Sequence, residues 1–198
     1  RPKYQGIDSV KYDVIVCPHC GYGALSRFFS YMTTHQAKLI HDNISVNFKG
    51  LAPTGDTYTY DDAITRYKLA LLNTVVKKAK VSERAYTCLK LAWLYRGKAE
   101  NLKPDEADYA KKKEECAKAE KEMLANAYEG FMMSVSKENF PICGMDETTL
   151  DYLMANLAKQ IGKIDEASRI VSRILVSKTA NPKIKDKARD LKESLKTK

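Results

Sequence analysis

Residues 151–174 have the sequence DYLMANLAKQIGKIDEASRIVSRI, and their spacing decides the fold class. Seven positions define the pattern: Asp151, Met154, Ala158, Gly162, Ala167, Val171 and Ile174. The recurring intervals of three and four residues place one side-chain stripe along each of two helices. Gly162 permits a tight turn between the helices, and the small Ala167 lets the second helix approach the first closely. The stretch therefore predicts an antiparallel helical hairpin.

A second stretch repeats the spacing of the first helix through Tyr86, Leu89, Trp93 and Gly97. Residues 63–71 and 127–135 match a second helix of the same kind. A glycine followed five residues later by alanine, with large apolar residues beyond it, resembles the tetratricopeptide hairpin. A generic antiparallel bundle, in which the apolar stripes form only a core, stays open as the alternative. Both arrangements are mainly α.

Glycine and proline positions divide the rest of the chain. Helices are predicted at residues 24–32, 34–44, 61–79, 82–97, 104–137, 146–162, 165–178 and 182–196. Asp61 or Asp62 supplies the N-cap of the third helix, because a short carboxylate accepts the free amide protons of a first turn. Residues 11–16 are β-branched and aromatic, which predicts one short N-terminal strand, and residues 48–60 are predicted to form a loop.

The composition is typical of a soluble domain: 198 residues, 44% hydrophobic, 30% charged, with a formal net charge of +9. No apolar run reaches the roughly 18 residues of a membrane span, so we expect no membrane partner. Five cysteines, an odd number in a long chain, favour the reducing cytoplasm over a disulfide framework. Basic residues such as Lys77, Lys78 and Lys80 are predicted to lie on solvated helix faces rather than on a nucleic-acid-binding stripe. Nucleic acid is not excluded as a partner.

Residues 17–23, CPHCGYG, form the sharpest local motif. The thiolates of Cys17 and Cys20 are spaced to bind one metal ion on a tight turn, for which Gly21 permits a positive φ. A structural zinc takes four ligands, so the motif supplies half a site. Distant candidates for the other half are Cys88, Cys116, Cys143, His35 and His41. A finger with His35 and His41 is one alternative, but the second hairpin strand of such a finger is missing, and we favour surface positions for both histidines.

The same motif after an apolar strand also resembles the active site of thioredoxin-fold oxidoreductases. That fold requires several strands and a later proline beside the cysteines. The prolines of the helical sequence instead fall in loops or at helix starts: Pro53, Pro104, Pro141 and Pro182. We therefore predict that the chain is not an enzyme and keep thiol-disulfide oxidoreductase as an alternative.

Five stretches carry a resemblance over nearly the whole chain: YDVIVCPHCGYGA at 12–24, YKLA at 67–70, LAWLYR at 91–96, the run at 140–152 with GMDETTL, and ANPKIKD at 180–186. Together they resemble a bacterial family of uncharacterised proteins, a domain of unknown function. The resemblance implies a further Cys-Pro-x-Cys knuckle upstream, so that this chain begins after two of four zinc ligands. It also implies a remnant of a zinc-ribbon-like region at 1–33 and a helical tetratricopeptide-like domain at 34–198. Cys17 and Cys20 then bind zinc in the parent protein, and retention of zinc in this chain is left open.

These patterns favour a non-enzymatic scaffold that binds a protein or peptide in the cytoplasm. In helical repeats the first helix of each hairpin lines a concave surface, and side chains not used for packing point into it. The tetratricopeptide resemblance implies these partner-binding residues: Arg84, Thr87, Leu91 and Tyr95 on one helix, and Tyr152, Asn156 and Lys159 on another. Arg84 and Lys159 favour an acidic segment. The alternatives are a zinc-dependent nucleic-acid-binding or regulatory module, and ordinary surface residues on a small bundle.

Overall fold

The structure, a computed structural model, describes residues 6–105 and 107–196, and it is mainly α-helical. The strands are β1 (Val14–Val16) and β2 (Gly23–Leu25). The helices are α1 (Ser26–Phe29), α2 (Thr34–Asn43), α3 (Tyr60–Val76), α4 (Val81–Asn101), α5 (Tyr109–Lys137), α6 (Glu147–Gln160), α7 (Ile164–Val176) and α8 (Pro182–Lys196). Short 3-10 turns lie at Ser9–Tyr12 and Ser45–Asn47. The predicted fold class, mainly α, is confirmed.

Helices that follow one another in the chain pack against each other. α4 packs against α3 and α5, and α6 packs against α5, α7 and α8. Between α6 and α7, Gly162 has a φ of +86°, and the N–H of Lys163 donates to the carbonyl of Ala158 at 2.8 Å. Glycine adopts this left-handed conformation without strain, which ends α6 and starts the turn. The helical hairpin predicted over residues 151–174 is confirmed.

Gly97 does not end a helix. α4 continues past it to Asn101, so the hairpin turn predicted at this glycine is wrong. A Cβ at Gly97 would lie 2.6 Å from Cε1 of Tyr60, the first residue of α3. The missing side chain therefore makes room for a ring from the neighbouring helix, which is a close approach rather than a turn.

Helix starts follow capping chemistry, with two differences from the prediction. Thr59 caps α3: its Oγ1 accepts the N–H of Asp62 at 3.1 Å, and the Asp62 carboxylate accepts the N–H of Thr59 at 2.9 Å. The aspartate predicted as the cap is thus the second half of a capping box. α5 begins at Tyr109 rather than at residues 104–106, because Asp108 has a left-handed φ of +60°. Residue 106 lies outside the described residues. Asp146 caps α6 as predicted.

The N-terminal region contains a second strand that the sequence analysis misses. β1 and β2 pair antiparallel in the register Val14 with Leu25, Ile15 with Ala24, and Val16 with Gly23. The helix predicted over residues 24–32 is wrong at its start, since Ala24 and Leu25 lie in β2, each 1% exposed. Only one helical turn, α1, follows. The helix predicted over 34–44 is confirmed as α2.

The N-terminal region packs directly on the helices. Val10, Val14 and Leu25 share a buried cluster with Tyr67 of α3 and Leu91 of α4. The hydroxyl of Tyr67 donates to the carbonyl of Val10 at 2.8 Å. A second cluster joins α4 to α5, α6, α7 and α8. Residues before position 33 therefore share their core with the helical part, and the division into two domains at 33/34 stays a prediction.

Candidate functional site

Cys17 and Cys20 lie at the turn of the hairpin formed by β1 and β2, residues 14–25, which we call the cysteine hairpin. The N–H of Cys17 donates to the carbonyl of Tyr22 at 2.8 Å, and the N–H of Gly21 donates to the carbonyl of Cys17 at 3.1 Å. Gly21 has the predicted positive φ, +70°. Both cysteines are half-buried and carry free thiols. The hairpin therefore places two thiols side by side on one tight turn.

The backbone of this turn favours the thiolate form of Cys17. The N–H groups of Cys20 and His19 donate to the Cys17 sulfur, and the Cys20 side chain adds a further hydrogen bond. These bonds lower the pKa of the Cys17 thiol below its ordinary value. Because a metal binds the thiolate and not the thiol, the lowered pKa favours the form of Cys17 that a metal requires.

The helical part fixes the turn through Asn73 of α3. Asn73 is fully buried, and its Nδ2 donates to the carbonyl of Gly21 at 3.1 Å and to that of Leu69 at 2.8 Å. The ring of Phe48 also lies against Gly21, where a Cβ would come within 2.6 Å of Cδ2. The positions of the two thiols thus depend on residues far away in the sequence.

Lys77 is buried, although the sequence pattern predicts a solvated position. Its side chain is 1% exposed, and its Nζ lies 2.8 Å from Oε1 of Glu83 and 5.3 Å from the centre of the Tyr22 ring. Its carbonyl accepts a hydrogen bond from Nε2 of Gln36 at 3.1 Å. The prediction is wrong because Lys77 follows the last residue of α3, where helical spacing no longer indicates orientation. A buried ion pair therefore joins α3, α4 and the cysteine hairpin.

Two cysteines separated by two residues, as Cys17 and Cys20 are, have the spacing and ligand type of half of a tetrahedral zinc site. Among residues 6–105 and 107–196, no group of three or more His, Cys, Asp and Glu side chains is placed to hold a metal ion. The candidates from the alternative finger, His35 and His41, are both exposed on α2 and are not grouped with the cysteines. Burial raises the pKa of Cys88 to about 11 and also raises the pKa values of Cys116 and Cys143. A raised pKa disfavours the ligand form of these three thiols.

The predicted partner-binding residues on α4 divide between core and surface. Thr87 and Leu91 are each 1% exposed, so the prediction that they line an open groove is wrong. Because α4 packs against both α3 and α5, positions left free by one helix pair are used by the other. Tyr95 is half-buried against the cluster that contains α3, and Arg84 is exposed. Partner binding by Arg84 and Tyr95 stays a prediction.

The predicted partner-binding residues on α6 are half-buried. Nδ2 of Asn156 donates to the carbonyl of Tyr152 within the same helix, at 2.8 Å. Nζ of Lys159 donates to Oγ of Ser194 on α8, at 2.7 Å. α8 therefore covers part of the face that is predicted to receive a partner, and Tyr152 packs against the helical core.

An open groove of about 680 Å³ lies between α5 and α7, and we call it the α5–α7 groove. Met132 and Met133 line it and are 47% and 41% exposed. At the edge shared by the two helices, the Tyr128 hydroxyl donates to Oε2 of Glu166 at 2.5 Å. This hydrogen bond lowers the pKa of the Glu166 carboxyl, and burial and the bond raise that of Tyr128 to about 12. The sequence contains one signal for this groove, the adjacent residues Met132 and Met133. Because adjacent positions on a helix point about 100° apart, two large apolar side chains in a row do not both fit one narrow packing stripe.

A second cleft, of about 790 Å³, lies where α4 begins. The Glu138 carboxylate accepts the N–H of Ser82 at 2.9 Å and its hydroxyl at 2.6 Å, and so caps α4 from a distant part of the chain. Nη1 of Arg27 donates to the carbonyl of Cys143 at 2.8 Å. These bonds connect the loop after α5 to α4 and to the N-terminal region. The polar groups that form them therefore have a structural role.

No helix in the described part of the chain has both the length and the apolar character needed to cross a bilayer. Helical hairpins packed on a short β-hairpin that carries two cysteines define a mainly α-helical protein. The chain belongs to a family of uncharacterised proteins conserved in bacteria (DUF2225), which matches residues 1–195. No curated protein and no solved structure matches the chain. The family predicted from the five sequence stretches is confirmed.

Proposed function

We propose that this protein is a non-enzymatic, tetratricopeptide-like scaffold that binds another protein in the cytoplasm. The observation that carries the proposal is a set of exposed apolar side chains on α5 and α7: Met132, Met133, Val135 and Val176, which are 40–80% exposed. Exposed apolar surface with a polar rim is typical of protein interaction sites. The free state of all five cysteines is consistent with a reducing compartment.

The succession of helix pairs supports the repeat part of this proposal. The hairpin of α6 and α7 has a glycine turn, and α8 packs against both of its helices. In such arrays each helix pair buries the face that its neighbour leaves open, which produces elongated binding surfaces. The chain departs from the repeat pattern at Gly97, where α4 continues instead of turning.

We also propose that Cys17 and Cys20 supply two of the four ligands of a structural zinc. The tight turn and the amide protons directed at the Cys17 sulfur support this assignment. Zinc, when bound, would act as a cross-link and not as a reaction centre. Asn73 holds the turn in place for it. The other two ligands would come from a second pair of cysteines that is not part of the cysteine hairpin.

A competition titration with a coloured zinc chelator tests the zinc assignment. We expect weak zinc binding by the 198-residue chain, loss of binding in Cys17→Ser/Cys20→Ser, and tighter binding when a peptide with two cysteines separated by two residues is added. Cys88→Ser is the matched control and should bind as the unchanged chain does. Tight binding that survives Cys17→Ser would contradict the assignment.

Site-specific photo-crosslinking in bacterial cells tests the scaffold function. A benzophenone amino acid is placed singly at Met133, at Arg84, at Tyr152 and, as an exposed control on α3, at Lys68. We expect at least one of the first three positions to give a discrete protein adduct that mass spectrometry identifies and that the purified partner reproduces. Absence of adducts at all three, or adducts removed by nuclease, would contradict protein binding, and the second outcome would favour the nucleic-acid alternative.

A further inference from the structure

The floor of the α5–α7 groove is apolar and open. Met132 and Met133 of α5 line it together with Ile170 of α7. Methionine side chains are unbranched and adapt to different shapes, which suits a surface that receives an apolar partner. On α5, Val135 lies three residues after Met132 and is 40% exposed. On α7, Val176 lies three residues after Arg173 and is 80% exposed. Apolar surface therefore continues along both helices beyond the groove.

The α7 wall of the groove is cationic. Arg173 binds both carboxylate oxygens of the buried Asp151, at 2.9 and 2.5 Å, yet its side chain remains 59% exposed. Lys163 lies 3.7 Å from the Glu166 carboxylate and is 43% exposed. Arg169 is exposed and forms no hydrogen bond or ion pair with a described residue, but it lies near enough to Glu166 for its charge to lower the pKa of that carboxyl. The α7 wall thus carries three cations and one carboxylate, Glu166, so its net charge is positive although Arg173 and Lys163 each have an acidic partner within the chain.

The charge distribution argues against a second copy of the chain as the occupant. The formal net charge is +9, so two copies repel each other at long range. On the α5 wall, Glu129 is an exposed carboxylate at the opposite edge of the floor. The groove therefore has an edge along α7 in which cations outnumber the one carboxylate, Glu166, an apolar floor and a small negative edge along α5.

We infer that the α5–α7 groove receives an amphipathic helix of a partner protein that is apolar on one face and acidic along the edge facing α7. The inference rests on the proposed scaffold function and names the chemistry of its partner. Apolar side chains at intervals of three and four residues would contact Met132, Met133 and Ile170, as in other cases where a helix binds in a groove. Carboxylates along one edge would pair with Arg169, and they would also speed association with this basic protein.

Fluorescence anisotropy with three labelled peptides tests the inference. Each peptide has about 18 residues, a length that gives five helical turns. The first has leucines at helical intervals and glutamates along one edge. The second has lysines in place of the glutamates, and the third is a scrambled sequence of the first. The protein variants are Arg169→Glu, Met133→Ser and Lys187→Glu, of which the last makes the same charge change on an exposed position of α8.

We expect the first peptide to bind and the other two to bind at least tenfold more weakly. Arg169→Glu and Met133→Ser should each weaken binding of the first peptide by about tenfold, which corresponds to about 1.4 kcal/mol, whereas Lys187→Glu should change it by less than twofold. Equal weakening by Arg169→Glu and Lys187→Glu would overturn the inference, because attraction would then be general. Equal binding of the scrambled peptide would also overturn it.

Two outcomes separate this inference from the scaffold function on which it rests. Protein adducts from Arg84 or Tyr152 with none from Met133 would overturn the groove assignment and leave the scaffold function standing. Sedimentation velocity provides the second: a dimer of the unchanged protein that Met133→Ser dissociates would overturn the inference, because a second copy would then occupy the groove.

Discussion

Replacing Lys77 with methionine tests the buried ion pair that joins the cysteine hairpin to α3 and α4. The Lys77 side chain is 1% exposed, the Glu83 side chain is 11% exposed, and 2.8 Å separates Nζ from Oε1. Methionine keeps the unbranched apolar stem but removes the charge, so Glu83 stays buried without its cation. Loss of one partner from a buried pair lowers the free energy of unfolding by about 3–5 kcal/mol. Because 11% of the Glu83 side chain remains exposed, we expect the lower end of this range, about 3 kcal/mol.

Urea unfolding followed by circular dichroism measures this loss. With a slope of about 2 kcal/mol per molar urea, a loss of about 3 kcal/mol lowers the midpoint by about 1.5 M. Lys78→Met, at the exposed neighbouring position, is the matched control and should shift the midpoint by less than about 0.25 M. Lys77→Met/Glu83→Gln removes both charges and should recover at least half of the loss, since no unpaired charge then remains buried.

Two results would refute this reasoning. A midpoint of Lys77→Met within about 0.25 M of the unchanged protein would show that the ion pair does not stabilise the junction. Equal losses in the single and the double variant would show that the unpaired Glu83 charge is not the cause of the loss.

Three further changes test other parts of the structure. Gly130→Ala places a Cβ 2.8 Å from Cβ of Ala85, so urea unfolding should show a loss of about 1–3 kcal/mol that Ala85→Gly relieves; a gain in stability would contradict the close packing of α4 and α5. Cys17, with its lowered pKa, should be alkylated at a lower pH than an ordinary thiol, whereas buried Cys88, with a pKa of about 11, should react only on unfolding; equal rates by mass spectrometry would contradict both assignments. Leu91→Ala should lower the free energy of unfolding by about 2–5 kcal/mol, because Leu91 is buried. A loss below about 1 kcal/mol would contradict the burial of Leu91.

The helices with strong local signals are the ones that the sequence predicts well. α8 begins and ends as predicted, because Pro182 suits a first helical turn and apolar residues recur at helical intervals behind it. The turn at Gly162 is also predictable, since a positive φ is a local requirement. Position 97 is also a glycine, but for another reason, the close approach of the Tyr60 ring. Only the packed structure distinguishes a glycine needed for a turn from a glycine needed for a close contact.

The short strand β2 is hidden from sequence analysis for a physical reason. Residues 23–25 are too few and too uniformly small or apolar to show the alternation of a strand, and their pairing depends on the turn before them. The residues beyond the turn therefore continue as β2, with Ala24 and Leu25 buried, before any helix begins.

The candidate site divides in the same way between local and distant signals. Cys17 and Cys20 are recognisable because two cysteines and a glycine form a local motif. Asn73 and Lys77 are not, since their roles depend on α3 lying against the cysteine hairpin. Thr87 is misplaced because a spacing rule gives each helix one packing stripe, whereas α4 packs against two neighbouring helices.

Amide hydrogen exchange with the crosslinked partner, once purified, tests the central claim most directly. Adding this partner to the unchanged protein should slow exchange in residues 128–136 and 163–176, the two walls of the α5–α7 groove. Exchange in residues 84–95 and 152–159 should stay as it is in the free protein. Protection confined to residues 84–95 and 152–159 would contradict the assignment of the α5–α7 groove as the surface through which the scaffold binds its partner. Absence of protection in both walls of the groove would contradict it as well.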